Sequence, residues 1–138
     1  MDGIVAVKEA TADISRVQTI RDITSKDFKI LSGDDATTHA FMAAGGDGVI
    51  SVTSNLVPKE FTDMVHLTRD GKMDEALALH NQMAEIFDVL FVESNPIPIK
   101  TALAMKNMME ENFRLPLCEI SADARAKLEA ALKNGNWL

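Results

Sequence analysis

Lys8 closes a short apolar run, Gly3 to Val7, and is followed by Glu9, Ala10 and Thr11. The β-branched residues of that run favour a strand, and in a strand alternate side chains share a face. Ile4, Ala6 and Lys8 therefore point one way, and Val5 and Val7 the other. If helices cover the valines, Lys8 looks out from the opposite face at the C-terminal end of its strand. At the edge of an apolar layer, desolvation disfavours the ammonium form and lowers a lysine pKa. A neutral amine in that position can add to a ketone carbon and form a Schiff base. The ordinary alternative is a solvated head on a stem that lies along apolar surface.

The remaining reactive side chains point to structural roles. His39, His66 and His80 form no HExxH-type pair, and Asp63 with His66 stands alone, so no metal site is expected. Asp34 and Asp35 are placed to cap the helix after them rather than to hold a cation. GGDG at Gly45–Gly48 lacks the G-x-G-x-x-G spacing and reads as a helix stop followed by a strand. Cys118, the single cysteine, has no internal disulfide partner and reads as a small buried apolar residue in a reducing cytosol. The eight methionines, notably Met83, Met105, Met108 and Met109, read as filler of the core or of subunit contacts. Tyrosine is absent.

The elements that must position Lys8 follow from the apolar pattern. Strands are expected at Gly3–Val7, Phe28–Leu31 and Gly48–Val52. Between them, Asp13 caps a helix with a stripe of Ile14, Val17, Ile20 and Ile23, and Ala36–Ala44 forms a second helix stopped by Gly45 and Gly46. Pro58 opens a third helix, with Phe61, Met64, Val65 and Thr68 inward and Gly71 at its end. Strand–helix alternation with such short connections predicts a parallel sheet. Beyond Lys72 the spacing is helical only. A long helix runs through Met73, Ala76, Leu77, His80, Met83, Ala84, Phe87, Leu90 and Phe91. NPIPIK (Asn95–Lys100) then opens another, continued by Ile99, Leu103 and Met109. RLPL (Arg114–Leu117) is an extended connector, and Ser121 caps a last helix with Leu128, Ala131 and Leu132 inward.

The expected fold class is α/β. Three parallel strands leave two open edges and one uncovered face, and their rhythm is that of a (β/α)8 barrel, which takes about 250 residues. Residues 1–70 are therefore read as the C-terminal part of such a barrel and residues 71–138 as a helical region. The net charge of −7, with no cluster of Lys or Arg, argues against nucleic acid and anionic membranes as partners. No apolar run approaches the ~20 residues of a membrane span and no signal peptide is evident, so a cytoplasmic location is expected.

IVAVKEAT, LSGDD, GGDGVISV and NPIPIK, in this order and spacing, resemble the second half of the 4-hydroxy-tetrahydrodipicolinate synthase (dihydrodipicolinate synthase) family, within the pyruvate-dependent Schiff-base lyases. The resemblance runs from Gly3 to Leu138. It implies that Lys8 is the Schiff-base residue, that pyruvate and aspartate semialdehyde are condensed on the route to lysine and diaminopimelate, and that neither cofactor nor metal is needed. It also implies that Ile50 offers its backbone carbonyl beside pyruvate and that the SGDD turn rims the pocket. Gly33 either lets backbone approach the substrate or serves only the turn.

The family places further groups ahead of its lysine: a threonine pair for the pyruvate carboxylate, proton-relaying tyrosines, and an arginine for the aldehyde substrate. Seven residues precede Lys8, and no tyrosine exists to substitute. The expectation is thus a C-terminal half whose first strand is the sixth of eight, inactive alone, and acting either as a homo-oligomer or with an N-terminal half. The alternatives are a non-catalytic assembly module and half of another pyruvate aldolase such as N-acetylneuraminate lyase.

Overall fold

A computed structural model describes residues 3–138. The elements run β1 (Ala6–Glu9), α1 (Ser15–Ile23), β2 (Lys29–Ser32), α2 (Thr38–Ala43), β3 (Gly48–Val49), a 3-10 turn (Thr53–Asn55), α3 (Pro58–Arg69), α4 (Met73–Val89), α5 (Ile97–Met105) and α6 (Ala122–Asn134). The three strands form one parallel sheet in the order β1-β2-β3. Among the described residues no helix is long and apolar enough to cross a membrane.

The register fixes which side chains share a face. Val7 stands opposite Ile30, Lys8 opposite Leu31, and Leu31 opposite Gly48. Val7 and Ile30 pack with Val17 of α1 and Phe41 of α2, so both crossover helices cover the valine face. Lys8 lies on the other face and is exposed. The alternation read from Ile4 to Lys8 therefore assigns the faces as expected.

The strand boundaries shift. β1 begins at Ala6, because its ladder with β2 starts only where the Lys29 N–H donates to the Val5 carbonyl, at 2.9 Å. Ile4 and Val5 are left exposed. β3 stops at Val49 rather than Val52. There the chain turns, because the Asp35 carboxylate takes the Val52 and Thr53 N–H groups and the Ser51 hydroxyl takes that of Ser54.

Helix ends follow local chemistry closely. Asp13 accepts from the Ser15 N–H at 2.9 Å at the start of α1, and Ser121 accepts from the Ala124 N–H at the start of α6. Gly71 has φ +78°, which only glycine takes up without strain. Its N–H reaches the Thr68 carbonyl and that of Lys72 reaches Leu67, the paired bonds of a Schellman stop. Ile23 leaves its stripe and is 80% exposed. Each three-residue step falls about 60° short of a full helical turn, so an i, i+3 series drifts off the buried face.

The large core lies among the later helices. Phe61 and Met64 of α3, Met83, Ile86 and Phe87 of α4, Ala102 of α5 and Leu128 and Leu132 of α6 belong to one buried cluster. Phe61 meets Phe87 edge to face, with ring centroids 6.3 Å apart. Glu111 clamps α5 to α6, accepting from the Thr101 hydroxyl and pairing with Arg125. One expectation fails here: Cys118 is exposed, because it lies in the connector between α5 and α6. Met108 and Met109 lie past the end of α5 at Met105 and are exposed, so they do not fill this core.

Candidate active site

All three residues singled out by chemistry stand at the C-terminal ends of neighbouring strands. Lys8 is the penultimate residue of β1; Gly33 directly follows β2 and Ile50 directly follows β3. Gly33 is two residues past Leu31 and Ile50 two past Gly48, so alternation puts both on the face that carries Lys8. The Ile50 N–H donates to the Ser32 carbonyl at 2.9 Å, and the Gly33 N–H to the Glu9 carbonyl at 2.6 Å. Among the described residues no donor is bonded to the Ile50 carbonyl. Its side chain is 50% exposed.

Gly33 and Lys8 touch. A Cβ on Gly33 would fall 2.7 Å from Cε and 3.1 Å from Cγ of Lys8, and 2.6 Å from Cβ of Ala10. The missing side chain is thus the space in which the Lys8 stem lies. Lys8 itself is exposed.

Two buried carboxylates hold the turns around this group. Glu9, on the helix side of β1, is 5% exposed. It accepts from the Thr11 N–H at 3.1 Å and hydroxyl at 2.8 Å, and pairs with Arg16 at 3.2 Å. Asp34 accepts from the Thr37 N–H at 2.9 Å and its hydroxyl at 2.6 Å in the turn before α2, whose N-cap residue is Thr37 and has no side-chain cap bond. The Asp35 side chain does not cap. It reaches across to the chain after β3 and accepts from Val52 N–H at 3.1 Å and Thr53 N–H at 2.7 Å. Sequence reasoning missed both grips. The Glu-x-Thr spacing of Glu9 and Thr11 was a usable signal for the first; nothing local marks the second.

His39 and His80 serve packing, whereas His66 is exposed. His39 Nδ1 lies 2.9 Å from the Thr68 hydroxyl. That hydroxyl already donates to the Met64 carbonyl, so the imidazole is the donor. His80 sits beside the Phe87 ring, 5.2 Å between centroids, with His39 at 6.1 Å. Burial, then the neighbouring His39, holds the His80 pKa below its ordinary value. Among the described residues no three His, Cys, Asp or Glu side chains gather where they could share a metal ion.

The chain matches the sequence profile of the dihydrodipicolinate synthetase family over residues 1–135. It belongs to that family. A 4-hydroxy-tetrahydrodipicolinate synthase of Saccharophagus degradans is 45% identical over 138 residues, all of this chain and 47% of the relative. One from Methanococcus aeolicus is 44% identical over 131 residues, 95% of this chain and 45% of the relative. The crystal structure of dihydrodipicolinate synthase from Aquifex aeolicus superposes with a TM-score of 0.95 at 41% identity, covering 99% of this chain and 46% of that one. The chloride-inhibited enzyme from Acinetobacter baumannii, complexed with pyruvate, gives 0.93 at 36% identity, covering 98% and 46%. The chain thus spans about half the length of the synthetase-family relatives it matches.

Proposed function

We propose that this chain is the lysine-bearing C-terminal half of a dihydrodipicolinate synthase. Residues 1–70 would supply the last three strand–helix units of a (β/α)8 barrel and residues 71–138 the helical region, whose core already takes in α3. The observation that carries the reading is the shared face: the Lys8 stem lies over Gly33, and Ile50 follows the neighbouring strand end on the same side. Barrel enzymes place their chemistry at that end of the strands.

In this reading the Lys8 amine adds to the ketone carbon of pyruvate, and water leaves to give an iminium ion. Loss of a methyl proton turns the iminium into an enamine. The enamine carbon attacks the aldehyde carbon of aspartate semialdehyde and forms the new C–C bond. The amino group of that substrate then attacks the imine carbon, closes the ring and expels the Lys8 amine. The Ile50 carbonyl, free of a described donor, faces the bound keto acid. Each proton transfer gains about 10²–10⁴-fold from a positioned group, and this chain holds no tyrosine to serve. The chain alone is therefore expected to be inactive.

The complementary half has a place to go. Both outer strands pair only with β2, so two strand edges are open among the described residues. Beside the free edge of β3 lies a concavity of about 370 Å³ lined by Leu31, Gly48, Val49, Phe61, Thr62 and Val65 among others. Closure of the barrel would cover Lys8 and desolvate its amine. The named relatives are synthases rather than N-acetylneuraminate lyases, which favours aspartate semialdehyde as the second substrate.

The test is reductive trapping. Pyruvate and borohydride, with the complementary half of a family member added, should leave one reduced pyruvate on Lys8 by mass spectrometry, and none on the Lys8→Ala variant. No adduct under those conditions, in a complex shown to have formed, would overturn the reading. Complex formation without an adduct would favour a non-catalytic assembly role.

A further inference from the structure

Asp35 is a buried carboxylate for which the reaction above has no use. It is 2% exposed. One oxygen, Oδ2, accepts from both Val52 and Thr53 N–H groups. The other, Oδ1, and the nearby Thr53 hydroxyl are both buried with no partner among the described residues. A charged oxygen buried without a partner costs free energy. The two bonds Asp35 does make have a positional value.

Their location supplies it. Asp35 is two residues past Gly33, and its own carbonyl accepts from the Thr38 N–H, which fixes it at the start of α2. Val52 is two residues past Ile50. The carboxylate therefore ties the turn after β2 to the turn after β3, across the gap between the residue beneath Lys8 and the residue whose carbonyl is free. The Ile50 N–H is held from the other side by Ser32. The Ile50 carbonyl thus sits between two anchors, one in the ladder and one at Asp35.

We propose that Asp35 is a positioning residue whose carboxylate sets where the Ile50 carbonyl stands relative to the Lys8 amine, and so how well a keto acid is held for imine formation. The inference rests on the proposed function. The keto acid would meet the Ile50 carbonyl in its bound state and in the transition state alike, so losing the anchor weakens binding more than it slows chemistry.

The experiment compares wild type, Asp35→Ala and Asp35→Asn, each combined with the complementary half, in the pyruvate–borohydride assay across pyruvate concentrations. Hydrogen exchange of the Val52 and Thr53 amides is read on each chain alone. For Asp35→Ala the half-saturating pyruvate should rise about tenfold while the rate at saturation stays within about twofold. Both amides should exchange about tenfold faster. Asp35→Asn keeps an acceptor oxygen and should fall between; it decides the matter if the alanine variant does not fold. Wild-type half-saturation in both variants would overturn the proposal, as would a trapping rate that falls at every concentration in step with loss of folded protein. A wild-type chain that traps no pyruvate would overturn the proposed function itself, and this inference with it. Trapping by wild type and both variants alike would remove only the role of Asp35.

Discussion

The sheet and the later helices are built to different standards of self-sufficiency. Around β1 and β2 the described residues form a buried cluster of Val17, Ile30 and Phe41, and Lys8 on the other face is exposed. Among α3 to α6 a much larger apolar cluster closes on itself, with Met64, Met83, Leu90, Leu128 and Leu132 all at 0% exposure. Burial scales with stability, so the helices carry more of the fold than the sheet, to which the chemistry is assigned only by proposal. A region with so small a buried cluster depends on its neighbours for order.

Substitutions that cut into each core separate the two regions. Phe61→Ala should cost about 3–5 kcal/mol of global stability by urea titration. Phe41→Ala, equally buried, should act mainly on the sheet, raising hydrogen exchange of β1 and β2 amides while α4 and α6 stay protected. Equal loss of protection in both regions would mean one cooperative unit. Next in size is Gly33→Ala, whose Cβ has no room beside Lys8 and Ala10. Overpacking of this kind costs about 1–3 kcal/mol, and it should also displace the lysine and slow pyruvate trapping. Ser121→Ala removes the cap of α6 and should cost about 1 kcal/mol, read as a lower unfolding midpoint.

The smallest effect tests the joint between the regions. His80 of α4 meets His39 of α2, and its folded pKa lies below the ordinary 6.5. The unfolded chain therefore binds a proton on His80 more readily than the folded one. This contribution is complete above pH 6.5 and is lost as pH falls from there to the folded value. Urea midpoints at about pH 7.5 and 5.5 should differ for wild type, and differ less for His80→Gln.

What the sequence made legible was periodic or local. Alternation within the first strand placed Val7 against the helices and Lys8 away from them, and Gly45, Gly71 and Ser121 punctuate helices where their chemistry says they should. Strand ends were misjudged because they depend on partners far along the chain: β1 waits for Lys29, and β3 is stopped by Asp35. Lys8, Gly33 and Ile50 were singled out by strand position and resemblance; that they share one face comes from the register. The grip of Asp35 was illegible, because two adjacent aspartates before a helix look alike, and only tertiary contacts separate Asp34, bonded to Thr37, from its neighbour.

Helix α3 has two working sides. Phe61 belongs to the helical core and also, with Thr62 and Val65, walls the hollow beside the free edge of β3. Whatever lengthens the sheet past β3 must lean on the same rod that organises the tail. A change in the helical core that shifts α3 therefore also reshapes that hollow.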